Sequence, residues 1–461
     1  MSATAPVDPS STSSARAIAA AVAGTVFEWF DFFLYGSLAV VLGRHFFPSH
    51  DGTAGLLAAL AVFGAGWVVR PLGALVFGRM GDRIGRRQTF LVTIVLMGLS
   101  TVAIGLLPTH AQIGLAAPVL LVILRLLQGL AVGGEFGGAA TYVAEYSSPA
   151  RRGLNTSLVM ATGTLGLLLA LATITLCRQW LGADDFQAWG WRLPFLASFG
   201  LLALSVYMRL HLAESPAFEQ LQREGRVARS PLREVFGNAQ HRRTMLLALV
   251  TLTAAQGVVW NAGQYYPLVF LQAQAGLDVG QAGARMMLAL LLAAPLFPLA
   301  GWLSDRIGRR PVIIAGFLLA GLGLLPVFAG LLASTVAGGG WLAQLGWLWL
   351  LSVPVALVCG PASAYLVELF PTHIRYSAIG LPYHLGNGWF GGFMPLATAA
   401  VSAHYASPLA GLVYPTVLAP GLEHGHGHRI GQVQAAVARV HRQAQAVFAG
   451  NALEHGGRQP A

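Results

Sequence analysis

Stretches of roughly twenty residues with scarcely a charge recur along this chain, and few folds can use them. Each is long enough to cross a bilayer as a helix. Lipid offers no partner to backbone N–H and C=O groups, so each run must close its own hydrogen bonds. The runs lie near residues 17–42, 54–78, 89–107, 115–145, 155–177, 190–210, 244–272, 283–303, 312–334, 342–366 and 377–401. A twelfth begins at Ser407–Ala419, then gives way to the polar stretch "PGLEHGHGHRIGQ" well short of a crossing. Composition agrees, with 55% hydrophobic and only 10% charged residues, where a soluble domain carries about a quarter charged. The expected fold class is an all-α membrane protein.

The few charges exclude several functions. A net charge of +10 would suit nucleic acid if the arginines gathered on one exposed face. Here they punctuate the apolar runs, so nucleic acid is not an expected partner. Cys177 and Cys359 both fall inside apolar runs, which supports neither a disulfide framework nor a metal site. No nucleophile–base pairing, phosphate-cradling loop or metal-ligand spacing points to an enzyme or a bound cofactor. The acids and aromatics of the first run do not fit a cleavable signal, so it is read as a true span behind a disordered tail, residues 1–16.

Orientation follows from the arginines. Arg79, Arg83, Arg86 and Arg87 follow the second span, Arg151 and Arg152 the fourth, and Arg306, Arg309 and Arg310 the eighth. Loops after odd-numbered spans, such as "LPTHAQIG" and "STVAGGGW", are nearly free of them. The N-terminus is therefore expected in the cytoplasm. The chain divides into a helix bundle at 17–212, a cytoplasmic loop at 213–243, a second bundle at 244–419 and an atypical polar tail at 420–461. A replaced reading frame near Ala419 accounts for that tail and would leave the twelfth helix truncated.

Within the first span, "GTVFEWFDFFLYG" sets Glu28 and Asp31 three residues apart, on one helix face and displaced by roughly 4.5 Å. An ionised side chain at mid-bilayer costs at least about 2.5–3.5 kcal/mol, so both acids should face the bundle interior. There, desolvation and mutual repulsion favour a proton on at least one, which is the outline of a proton carrier. Arg125, in the fourth span, falls at similar depth and is expected to meet Glu28; its planar fork also suits a substrate carboxylate. Arg70, next to Pro71, is a second interior cation. Glu135 sits deeper and either pairs with an arginine or passes the proton on. Gly129, Gly133, Gly134, Gly137 and Gly138 around it read as helix-packing positions. In "WNAGQYY" and "PYHLGNGWFGG", Asn261, Gln264, Tyr265, His384 and Asn387 are candidate substrate donors, since polar groups at such depth face protein or water.

The chain also repeats itself. "GRMGDRIGRR" at Gly78 recurs as "GWLSDRIGRR" at Gly301, an offset of 223 residues at which Tyr142 meets Tyr365, Glu145 meets Glu368 and Arg152 meets Arg375. A constant register over two helices and their loops indicates a duplicated six-span unit. With "FEWFDFFLYG", "RPLGALVFGRMGDRIGRR", "RLLQGLAVGGEFGGAA", "ESPAF" and "ELFPTHIRYSAIGLPYHLGNGWFGGF", the sequence over residues 17–419 resembles the major facilitator superfamily, in its metabolite:proton symporter branch. The resemblance implies two six-helix pseudo-repeats around a central cavity. It also implies a cytoplasmic gate with Asp82, Arg83, Arg86, Glu145 and Arg152 in one cluster and Asp305, Arg306, Arg309, Glu368 and Arg375 in its mirror. The expected function is proton-coupled symport of a small organic acid or zwitterion across a bacterial inner membrane, by a monomer needing no cofactor beyond the proton gradient. The alternatives are compatible-solute uptake, of a betaine or proline, and a transport-dead truncated membrane protein.

Overall fold

The computed structural model describes residues 12–48, 52–210, 214–225, 230–336, 338 and 340–421. The start of the N-terminal tail, parts of the 213–243 loop and the polar tail beyond 421 lie outside the described residues. Ten described helices are long and apolar enough to cross a membrane: α1 (Ile18–Ser37), α2 (Thr53–Ile84), α3 (Arg87–Leu106), α4 (Ala116–Glu145), α5 (Pro149–Leu181), α6 (Arg192–Leu210), α7 (Ala239–Ala273), α8 (Val279–Ile307), α9 (Arg309–Val336) and α10 (Trp341–Glu368). The eleventh, α11 (375–404), is built from Arg375–Leu385, a π-helical stretch Gly386–Gly391, and Met394–His404. The twelfth, α12, is Val413–Gly421, packed against α9 and α7. No strand occurs among the described residues.

The helices are interrupted where the sequence removes a ladder bond or needs a wider turn. In α2 the helix breaks at Val69 before Arg70-Pro71, since proline has no N–H to offer. In α4 the break falls at Gly134. In α7 the stretches Leu249–Thr253 and Asn261–Tyr265 are π-helical, a geometry that gathers at functional positions.

Small residues decide how closely these helices approach. A Cβ on Gly129 would stand 1.8 Å from the carbonyl oxygen of Gly66, and one on Gly133 2.2 Å from that of Arg70. These two glycines therefore let α4 lie directly on the backbone of α2.

The halves α1–α6 and α7–α12 meet along two related seams, α5 with α8 and α11 with α2. Both repeated loops turn on a glycine with positive φ, Gly85 at 107° and Gly308 at 96°, which a side chain would resist. These loops lie on the arginine-rich face of the molecule, where Asp82 meets Ser377 and Asp305 meets Gly153.

Candidate functional site between the two halves

Seven charged residues are buried as whole residues among the described ones: Glu28, Asp31, Arg70, Asp82, Arg125, Glu135 and Arg209. All seven belong to the first half. The expected meeting of Glu28 with Arg125 does not occur. Arg209, near the end of α6, takes that place: it hydrogen-bonds Glu135 and stands 3.8 Å from Glu28. Thr25 also donates to Glu135, at 3.1 Å. Gly24 makes the room, because a Cβ there would lie 2.7 Å from the guanidinium of Arg209.

Arg125, on α4, lies against a later stretch of α1, at Phe32 and Tyr35. Its Nη1 donates to Gln128 Oε1 at 2.7 Å and to the Phe32 carbonyl at 3.4 Å, and its guanidinium lies 4.4 Å from the ring centres of Phe32 and of Tyr35. Asp31 diverges from Glu28 because positions three apart still differ by about 60° around the axis. It turns toward α3 and α6, where Ser198 donates to its carboxylate and the Thr101 hydroxyl is a second hydrogen-bond neighbour.

Arg70 is the outlier. Its guanidinium lies 3.5 Å from the Trp67 ring centre, 4.2 Å from Phe32 and 5.1 Å from Trp29, and its three nitrogens are buried without a hydrogen-bond partner. Stacking of this kind is worth about 2 kcal/mol when desolvated, against several kcal/mol for stripping water from the ion. Such a group favours the approach of an anion.

Beside it, between the halves, is a cavity of about 20 Å³ whose lining includes Trp29, Trp67, Phe136, Trp260, Tyr383 and Asn387. That volume holds about one water, so the site is contracted. Aromatic pairs close it from both sides. Toward the arginine-rich face Phe136 stacks on Tyr383 with centroids 3.3 Å apart. Toward the other face Phe33 stacks on Trp260 at 5.1 Å and Phe63 on Tyr265 at 4.8 Å, while the Tyr265 hydroxyl donates to the Gly36 carbonyl at 2.9 Å.

The second half supplies neutral polar groups. Asn387 donates to Gln256 Oε1 at 2.9 Å, and Gln256 in turn donates to the Cys359 sulfur at 3.4 Å. Beyond the far lid a wider mouth of about 700 Å³ is bordered by Arg44, Arg178, Gln187 and Asp278, and Arg178 of α5 hydrogen-bonds Asp278 ahead of α8.

Of the expected substrate donors, only Asn387 lines the cavity. Tyr265 belongs to a lid. Asn261 bonds back to the Gly257 carbonyl at 3.0 Å and Gln264 accepts from Thr164 at 2.5 Å, while Asn261 Oδ1 and Gln264 Nε2 are buried without a hydrogen-bond partner, off the cavity lining. His384 is buried edge-on to Phe136 with both ring nitrogens unpartnered, behind the lining. Arg125 is likewise walled off, by the rings it stacks on.

At the arginine-rich face the two expected clusters exchange members. Asp82 accepts from the backbone N–H and hydroxyl of Ser377 at 3.0 and 2.7 Å, and Asp305 accepts from the N–H groups of Gly153 and Leu154, both at 2.8 Å. Each acid thus meets the helix start of the opposite half, where the dipole favours negative charge. The arginines cross as well. Arg152 lies 3.6 Å from Glu368, Arg375 lies 3.9 Å from Glu145, and Arg309 bonds Asp305 at 2.6 Å and Glu368 at 3.2 Å. Two expected members stand apart, since Arg83 is exposed and Arg306 is exposed over the Trp302 ring. The side chain of Arg86 lies outside the described residues.

Sequence reasoning missed Arg209, which looks like an interfacial charge at the end of a span. It also passed over Gln128, although its place three residues after Arg125 was a legible signal. Trp29, Trp67 and Trp260 carry no mark that separates a cavity wall from ordinary core.

The family model described as Major Facilitator Superfamily matches residues 21–395. A proline/betaine transporter of Salmonella typhimurium is 36% identical over 381 residues, covering 80% of this chain and 74% of that protein. The inner membrane metabolite transport protein YhjE of Escherichia coli is 35% identical, covering 86% and 90%. The shikimate transporter of Escherichia coli is 34% identical, covering 85% and 88%. Among solved structures, the proton:xylose symporter XylE bound to a bromodeoxyglucose aligns with a TM-score of 0.69 at 19% identity, over 88% of this chain and 94% of that one.

Proposed function

The chain belongs to the major facilitator superfamily and is a multi-pass inner-membrane transporter, not an enzyme, and on that premise we propose that it is a proton-coupled symporter of a small zwitterion. The observation that carries this reading is Arg70, a buried guanidinium without an acid partner beside an aromatic-walled cavity. A carboxylate would neutralise it, and the rings of Trp29, Trp67 and Trp260 suit the cationic end of a betaine or proline through cation–π attraction. A second carboxylate would meet only neutral groups, Gln256, Asn387 and Tyr383, which disfavours di- and tricarboxylates. The names of relatives such as the proline/betaine transporter support the same class. The shikimate transporter keeps a second reading open, a hydroxylated monoanion, for which Gln256 and Asn387 supply hydroxyl partners.

Asp31 is the proposed proton carrier. Unlike Glu135, hydrogen-bonded by Arg209, and Glu28, 3.8 Å from the same guanidinium, Asp31 has no guanidinium paired with it, so a proton can come and go without breaking an ion pair. No cofactor enters, and the proton gradient drives the cycle. The arginine-rich face is assigned to the cytoplasm, and the crossed ion pairs there form the inner gate. The chain is taken to act as a monomer. The test is uptake of glycine betaine, proline, shikimate, a monocarboxylate and a dicarboxylate into proteoliposomes under an imposed pH gradient. Betaine or proline should accumulate, and Asp31→Asn should abolish accumulation while sparing exchange. Accumulation of the dicarboxylate alone, or uptake indifferent to the gradient, would overturn the proposal, and no uptake despite normal insertion would favour a transport-dead protein.

A further inference from the structure

Asp31 and Arg125 do not touch, yet buried groups connect them. Arg125 Nη1 donates to Gln128 Oε1 at 2.7 Å, and Gln128 Nε2 donates to Thr101 Oγ1 at 2.7 Å. The sense of this chain is fixed by chemistry. A guanidinium only donates, so the Gln128 oxygen must face it and the amide nitrogen must face Thr101. Thr101 has then accepted, and its single hydrogen goes to the Met97 carbonyl at 3.0 Å, with the carboxylate of Asp31 as the hydroxyl's other neighbour. One hydroxyl cannot serve both.

We propose that Gln128 and Thr101 are positioning residues that transmit the protonation state of Asp31 to Arg125, with the Thr101 hydroxyl as the two-position element. When Asp31 is ionised, the hydroxyl turns to it, and every donor from Arg125 onward points the same way. When Asp31 takes a proton, its oxygen becomes a poorer acceptor and the hydroxyl turns to Met97. The Thr101 oxygen then presents a different lone pair to Gln128, which weakens the amide's alignment with Arg125. Arg125 packs on Phe32 and Phe63, ring neighbours of Trp67 in the cavity wall. A change at the proton site thus reaches the lid through contiguous side chains that have two discrete arrangements, the physical requirement for coupling.

Other ionisable groups surround the pair. Glu28 lies one turn back on α1 and belongs to Arg209. Tyr35 and Tyr265 neighbour Arg125, and Arg70 also packs on the Phe32 ring, 4.2 Å from its centre. The links between Asp31 and Arg125 are the hydroxyl of Thr101 and the amide of Gln128, so the relay runs through neutral groups.

The inference rests on Asp31 carrying the proton, and its test separates the two ideas. Thr101→Val removes the hydroxyl at near-constant volume, Thr101→Ser restores it, and Gln128→Met cuts the chain one link away. In proteoliposomes, glycine betaine exchange at equal pH should stay within about twofold of the unmodified protein in Thr101→Val and Gln128→Met. Gradient-driven accumulation should fall about tenfold, the scale of a modest coupling free energy, and Thr101→Ser should recover it. Equal loss in both assays, or loss in neither, would overturn the relay. Infrared titration needs no substrate: the carboxyl band that disappears in Asp31→Asn should shift its midpoint in Thr101→Val, and an unmoved midpoint would overturn the proposal even if glycine betaine is not transported. Failure of the unmodified protein to exchange glycine betaine, with the midpoint shifted, would count against the substrate reading while supporting the relay.

Discussion

Arg209 serves two carboxylates at once, and its removal leaves both buried with no counter-charge. Arg209→Gln is expected to cost about 3–5 kcal/mol, the range for breaking a buried pair by deleting one partner. Thermal unfolding in detergent should show it as a large loss of folded protein. Glu28→Gln should be far milder, since Glu28 Oε1 stands 3.8 Å from the guanidinium and makes no hydrogen bond. Arg70 calls for the opposite result. Arg70→Gln takes an unpartnered ion out of an apolar site, so its melting temperature should rise by a few degrees while uptake is lost. A melting temperature that falls would mean that the guanidinium stabilises the contracted state, and would count against Arg70 as a group awaiting an anion.

The elements gain their meaning from what crosses between them. Asp82 and Asp305 each hold the helix start of the other half, so Asp82→Asn combined with Asp305→Asn should release the arginine-rich face. Cys359 reports this directly. It is fully buried and bonded to Gln256 behind the cavity. With Cys177→Ser as background, a membrane-permeant maleimide should alkylate Cys359 several-fold faster in the double variant. An unchanged rate would mean that the crossed bonds hold topology without gating. The α2–α4 crossing offers a second check. Gly129→Ala drives a methyl into the Gly66 carbonyl and should cost about 1–3 kcal/mol in overpacking, again read from detergent melts.

For the molecule as a whole, the asymmetry between halves is the organising fact. Fully buried charged residues sit in the first half, and the neutral polar groups Gln256 and Asn387 face the cavity from the second. The wide mouth at the arginine-poor face is bridged by Arg178 and Asp278. Burial pushes the Asp278 carboxyl up, but the hydrogen bonds from Arg178 and from the N–H groups of Gln281 and Gly280 outweigh it and hold the group below the usual carboxylate range. A depressed carboxylate contributes fully above its ordinary value and loses its contribution only as pH falls through the lowered one. Spin labels at Gln187 and Gln281 should therefore give one distance distribution from neutral pH down to pH ~5. Asp278→Asn should broaden it toward longer separations at every pH.

The apolar runs, the arginine spacing and the 223-residue repeat together determined the fold without any coordinates, because lipid admits so few solutions for such segments. The same logic required Glu28, Asp31, Arg70, Arg125 and Glu135 to turn inward, and they do. What it left open was partnership. Helix depth can be counted in residues, but tilt, crossing angle and a difference of about 60° around an axis decide whether Glu28 meets Arg125 or Arg209. The exchange of Arg152 and Arg375 between clusters likewise exists only once two halves are docked. The aromatic cavity is a tertiary object too, since a tryptophan that walls a site and one that fills a core obey the same hydrophobic rule until their neighbours are known.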